Sequence, residues 1–156
     1  MTEHHVLELE RFLPYRLSIL SNTISQAIAR EYEQRFELSV TEWRVMAVLG
    51  RYEGLSAVDV AVRTAMDKVA VSRALTRLVQ AGRVKRTLAD LDKRRSVLAL
   101  TTKGWKIYDQ VAPAALEHER QLLSTLDAEE RAWLEKILIK LGTEGVFAMN
   151  AAVTTK

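Results

Sequence analysis

Apolar residues recur every three or four positions along most of the chain, and one stretch in the middle breaks that rhythm. Phe12, Leu13, Leu17, Leu20, Ile24, Ala27, Ile28 and Tyr32 fall on one stripe, which predicts a long amphipathic helix up to about Phe36. Pro14 sits near its start, where a missing N–H costs little, so the helix begins or kinks there. "SVTEWRVMAVLG" predicts a second helix, with Thr41 as N-cap and Gly50 as stop. "SAVDVAVRT" predicts a short third one, capped by Ser56 with Asp59 in its first turn and ending near Thr64. Asp67 caps a fourth, whose inner face is Val71, Ala74, Leu75 and Leu78 and whose stop is Gly82.

Beyond Gly82 the period shortens. Val84, Arg86 and Leu88 precede a polar turn, and Val97, Ala99 and Leu100 follow it, which predicts two short strands around the charged tip "ADLDKRR". Thr101 then caps a helix from about Lys103 to Thr125, with Pro113 as a kink point. A last amphipathic helix is capped by Asp127 and presents Leu134, Ile137, Leu138 and Leu141 as its buried face. The pattern is mainly α with one small β-hairpin.

Composition narrows the class. A chain of 156 residues with 48% apolar and 28% charged residues is one soluble domain, long enough to bury a core. With no cysteine, disulfides, thiolate catalysis and Cys-based zinc sites are excluded. Glu3, Glu8 and Glu10 and the lack of a long apolar run argue against a signal peptide or membrane span, so the expected compartment is the cytoplasm. His4, His5 and His118 have no partners at catalytic or zinc spacing, and no Gly-rich phosphate loop or nucleophile elbow occurs. The expectation is therefore a non-enzyme without metal or cofactor.

Charge distribution changes the picture more than net charge, which is only +3. Nine Lys or Arg against three Asp lie between Asp67 and Arg95, and the rest of the chain is acidic, with 14 basic and 17 acidic residues. A basic segment on an acidic body is an electrostatic footprint for phosphate. Two short helices joined by a tight turn, the second one basic, meet the helix-turn-helix description. A major groove admits one helix, and residues at its N-terminal end reach base edges. Here those are Lys68, Val69, Ala70, Ser72 and Arg73, with Arg77 one turn on, and Ser56 at the head of the preceding helix joins the DNA-side set. Arginine can fork onto guanine, serine more often bonds phosphate, and a Val or Ala methyl can lie against thymine. A ribbon tipped by Lys93, Arg94 and Arg95 could set an arginine in the minor groove, with Asp92 orienting Arg94.

These pieces resemble the MarR family of winged helix-turn-helix transcriptional regulators. The resemblance rests on "TEWRVMAVLG", "SAVDVAVRTAMDKVAVSRALTRLVQAG", "DKR" and "LALTTKG", in that order and spacing, over nearly the whole chain. It implies a single domain over 1–156, with a DNA-binding lobe at about 38–100 and dimerisation helices at about 8–36 and 102–150. It also implies a homodimer, a palindromic double-stranded operator, a ligand that weakens DNA binding, and repression as the default. By position, Ser72, Arg73 and Arg77 fall on the recognition helix, and Asp92 and Arg94 on the wing's Asp-x-Arg. Arg83 departs from the family's apolar residue after the glycine, so it adds a phosphate contact or shifts the strand start.

The outer helices carry more apolar surface than one small core requires, around Phe12, Leu13, Leu116, Leu122, Leu123, Trp133 and Ile137. A second copy would bury it, and a two-fold dimer sets two recognition helices about 34–36 Å apart. Arg16 lies beside the apolar stripe of the first helix and calls for an anion, either a protein carboxylate or a ligand's. "FLPYRLSILSN" is similar to a MarR subgroup that senses aromatic acids or their coenzyme A thioesters, phenolic and hydroxycinnamoyl compounds included. That likeness implies Arg16 as the clamp, with Asn22 and Trp43 lining the pocket. Trp43 otherwise reads as plain core. The rival to a DNA-binding regulator is a helical module whose basic helix meets an acidic protein or structured RNA.

Overall fold

The structure is a computed structural model that describes residues 6–88 and 96–154. It begins with helix α1 (Leu13–Phe36), which carries Pro14 in its first turn and ends at Glu37 in the left-handed region, φ 51°. Helix α2 (Val40–Arg51) is capped by Ser39, not by Thr41. Ser39 Oγ accepts from Glu42 N at 3.2 Å while Glu42 Oε2 accepts from Ser39 N at 2.8 Å. This reciprocal pair needs a glutamate three residues on, and from Thr41 that position holds Arg44. Nor does Gly50 stop the helix. A Cβ there would collide with the Tyr108 ring, so Gly50 makes room for a crossing helix.

Helix α3 (Ala57–Thr64) has the expected Ser56/Asp59 box, and Ala65 in the left-handed region, φ 50°, makes the turn after it. Helix α4 (Lys68–Gln80) starts at Asp67, whose Oδ1 accepts from Val69 N and Ala70 N, both at 3.0 Å. Gly82, φ +69°, turns the chain, and Arg83 N closes the helix end on Leu78 O at 2.9 Å. Strands β1 (Val84–Leu88) and β2 (Ser96–Leu100) are antiparallel, with Val84 opposite Leu100 and Leu88 opposite Ser96. Only Val84 of β1 is buried, and Leu98 and Leu100 of β2 face inward rather than Val97 and Ala99. The ribbon is packed only at its base, where Leu55 also pairs with Leu98.

Helix α5 (Thr102–Leu123) opens on Thr101, whose Oγ1 accepts from Gly104 N at 3.1 Å, and runs through Pro113. Helices α6 (Ala128–Lys140) and α7 (Val146–Thr154) follow, separated by a π-helical turn over Leu141–Gly145. Asp127 caps α6 in a box with Glu130, as expected.

The chain divides into two compact units, Met1–Leu116 and Glu117–Lys156. The first holds the core, built from Ala29, Tyr32, Leu38, Val45, Met46, Leu49, Val60, Val71, Leu75, Leu78, Leu98 and Val111 with their neighbours. In the second, α6 buries none of its residues, and Leu134, Ile137, Leu138 and Leu141, expected inside, are exposed. Periodicity shows that a face needs cover, not which chain supplies it. No helix among the described residues is long and apolar enough to cross a membrane.

Candidate nucleic-acid interface

Helix α4 is fixed from beneath. Val71, Ala74, Leu75 and Leu78 are all at most 1% exposed and hold it against α2 and α3, so its outer face is presented on a rigid support. That face carries Lys68, Val69, Ser72, Arg73, Thr76 and Arg77, all exposed. Lys68 and Arg73 have no carboxylate partner among the described residues. Ala70 is half-buried, and its N–H is taken by Asp67. On β1 the exposed Lys85 and Arg86 continue the positive surface toward the hairpin. Asp92, Lys93, Arg94 and Arg95 lie outside the described residues.

Two expected contacts are otherwise engaged. Ser56 Oγ donates to Asp59 Oδ2 at 2.7 Å and accepts from Asp59 N at 3.2 Å, so its hydroxyl is committed to capping α3. Arg77 is exposed but not free: its Nε stands 3.3 Å from Oε1 of Glu42, a carboxylate only 6% exposed. Glu42 was not among the residues the sequence singles out. The Ser39-x-x-Glu42 spacing marks it as a cap, but nothing in the order of residues marks its partner on α4.

Arg83 provides no outward phosphate contact. Its Nη2 donates to Phe36 O at the C-terminal end of α1, where carbonyls lack helical partners and favour a cation. Arg83 Nε is buried without a hydrogen-bond partner among the described residues. The same junction is tied by Thr101 N to Arg83 O at 3.0 Å, Thr101 Oγ1 to Gly82 O at 2.6 Å and Lys103 Nζ to Ala81 O at 2.8 Å. The strand starts where an arginine after the glycine can reach back to α1.

The three residues implied as ligand contacts separate. Arg16 and Asn22 are exposed on α1. Arg16 has no protein carboxylate partner among the described residues. Trp43 stands between aromatic rings, 5.7 Å from Tyr32 and 5.8 Å from Tyr108, which itself meets Trp105 edge-on at 5.3 Å. Sixteen residues of α1, about 24 Å of helix axis, separate Arg16 from Tyr32. Within one chain Arg16 and Trp43 therefore do not line the same small pocket.

Tyr32 also gives a pH signature. Burial pushes its phenol up from 10.0 to about 12, with Glu33 adding to the shift and Arg44 opposing it. The folded state holds the neutral phenol, so this contribution is intact below about pH 10 and is lost as pH rises toward 12. Thermal midpoints across pH 9–12 are expected to fall more steeply for the wild type than for Tyr32→Phe. Parallel curves would contradict that burial.

A sequence model described as the MarR family matches residues 36–95, from the end of α1 through α2, α3, α4 and β1, and stops short of β2. Over that segment the chain matches the MarR family of transcriptional regulators. A crystallised MarR/EmrR-family transcriptional regulator from Acinetobacter sp. ADP1 shares 28% identity over 88% of this chain and 97% of its own, with a TM-score of 0.80. The HTH-type transcriptional regulator BilQ of Clostridium symbiosum is 32% identical over 94 residues, 60% of this chain and 65% of that regulator's length. The homoprotocatechuate degradative operon repressor of Escherichia coli is 26% identical over 109 residues, 70% of this chain and 74% of the repressor. The likeness to the solved MarR/EmrR-family structure gives α3 and α4 as the helix-turn-helix and β1–β2 as the wing. MarR is a family of transcriptional regulators, not of enzymes.

Proposed function

We propose that this MarR-family protein is a homodimeric repressor that grips a palindromic DNA duplex and is released by an aromatic acid or its coenzyme A thioester. One observation carries the DNA reading: a well-buried α4 turns Lys68, Ser72 and Arg73 outward, with no carboxylate neutralising the two cations among the described residues. Arg73 is the base reader, Ser72 and Lys68 meet phosphate, and Val69 supplies an apolar contact. The wing's Asp92, Lys93, Arg94 and Arg95 make the second, minor-groove contact. The effector class is supported by the relative named as repressor of a homoprotocatechuate degradative operon, an aromatic-acid route. Arg16, exposed and without a carboxylate partner among the described residues, is the clamp for the acidic or carbonyl end, with Asn22 six residues further along the same helix. Trp43 belongs to the aromatic core.

Effector and DNA oppose each other through the population of dimer states whose recognition helices match the groove spacing. Competing an inverted-repeat duplex against a scrambled one of equal length tests the DNA function, with preference for the repeat expected. Phenolic acids and their thioesters titrated into that complex are expected to weaken it, and Arg16→Ala to blunt the response. Equal affinity for both duplexes would favour the acidic-protein or RNA module instead.

A further inference from the structure

We propose that Glu42 is a positioning residue for Arg77, and that the pair makes Arg77 a clamp on one backbone phosphate rather than a reader of bases. This rests on the DNA-binding reading above. Glu42 is the third residue of α2, nearly buried, with one carboxylate oxygen held by Ser39 N at 2.8 Å. The other oxygen faces Arg77 Nε at 3.3 Å, from the helix that would enter the groove. A carboxylate that far from water needs a countercharge, and Arg77 is the cation beside it among the described residues. The burial is one-sided: the Arg77 side chain stays 59% exposed against 8% for Glu42. The guanidinium thus meets Glu42 by its Nε and remains largely open to solvent.

Helical geometry gives that arrangement a direction. At about 100° per residue, Arg73 lies nearly opposite the buried stripe of Val71, Ala74, Leu75 and Leu78, facing straight out. Arg77, one turn on, is rotated toward the flank where α2 packs, and Glu42 draws it further that way. A side chain on that flank meets the groove wall, which is phosphate, and not its floor. The two arginines thus divide the work, Arg73 toward bases and Arg77 toward backbone.

The sign of one substitution decides the matter. Removing a carboxylate next to DNA adds net positive charge, so simple electrostatics has Glu42→Gln bind duplex more tightly. Loss of a positioning residue has it bind more weakly. Gln can still accept from Ser39 N, so the α2 cap survives, and thermal midpoints check the fold.

The probe is the inverted-repeat duplex that the wild type selects from a randomised pool, measured alongside a scrambled duplex over a series of salt concentrations. Glu42→Gln and Arg77→Ala are each expected to lose about tenfold in affinity per half-site, about a hundredfold for the dimer, on both duplexes, as for one charge-assisted hydrogen bond in each subunit. Each also lowers the slope of log affinity against log salt by about 1.8 for the dimer, one phosphate in each half-site. The double variant is expected to be no weaker than Arg77→Ala, and Arg73→Ala alone to erase the preference for the repeat. Should Glu42→Gln fold poorly, Arg77→Lys replaces it. An ammonium has no Nε edge to be held, so the same loss of slope is expected with the charge retained. Tighter binding by Glu42→Gln, or an unchanged slope in Arg77→Lys, overturns the positioning role while the function stands. A wild type that selects no repeat overturns both.

Discussion

Gly104→Ala is expected to destabilise the protein by about 3 kcal/mol or more, the upper range for overpacking. Gly104 is the third residue of α5, and its position is crowded by backbone rather than by a side chain that can turn aside. A Cβ would drive into the carbonyl oxygen of Arg83, and it would also stand 3.1 Å from that carbonyl's carbon and 3.3 Å from Leu100 Cδ2. The Arg83 carbonyl is pinned by Thr101 N at 3.0 Å, and Arg83 itself is fastened to Leu78 O and to Phe36 O. Relief of the clash would have to move the start of β1, the end of α4 or the first turn of α5. All three meet at the base of the wing, so DNA affinity should fall together with stability. Urea unfolding followed by far-UV circular dichroism and by tryptophan fluorescence measures the loss. Gly142→Ala is the control. Nothing lies within 4 Å of its added methyl, and the substitution is expected to be neutral or to gain up to about 1 kcal/mol of helix propensity. Equal unfolding midpoints for Gly104→Ala and wild type would refute the close approach.

Leu138→Glu is expected to yield monomers and to lower affinity for an inverted-repeat duplex by about a hundredfold or more, the loss that follows when two linked half-sites become independent. Leu138 is 52% exposed in the single chain, on a helix none of whose residues is buried, so a charge there costs the chain's own core little. Trp133, Leu134, Ile137 and Leu141 accompany it, with Phe147 of α7 at 75% exposure. A contiguous apolar face of this kind marks an interface. Sedimentation at micromolar concentration reads the assembly state, and far-UV circular dichroism confirms that the monomer keeps its helices. A variant that stays dimeric and binds the repeat like wild type would remove α6 from the interface.

Local chemistry made much of the fold readable from the residue order. The Ser56/Asp59 box, the Asp67 cap, the αL glycine at 82 and the Asp127/Glu130 box each act within a few residues, so their outcome hardly depends on the rest of the chain. The inner face of α4 was equally plain, because four small or branched residues at helical spacing have one way to be buried together. Thr41 reads as a cap because hydroxyl residues stand at both 39 and 41, and the glutamate that chooses Ser39 lies three residues from it, leaving Thr41 inside the first turn of α2. Periodicity likewise gave α6 an apolar stripe without saying what meets it.

By itself the sequence determined the order of the first six helices and the hairpin, the caps of α3 to α6, the buried side of the recognition helix and the basic character of its outer side. Tertiary structure alone decided where the long cations went: Arg83 inward to the end of α1, Arg77 sideways to Glu42, and Arg73 left facing out. It also set Trp43 in an aromatic stack and left α6 uncovered. Capping groups are neighbours along the chain, whereas the partner of a long charged side chain is whatever distant backbone or carboxylate folding carries within its reach, 35 residues away for Arg77 and 47 for Arg83.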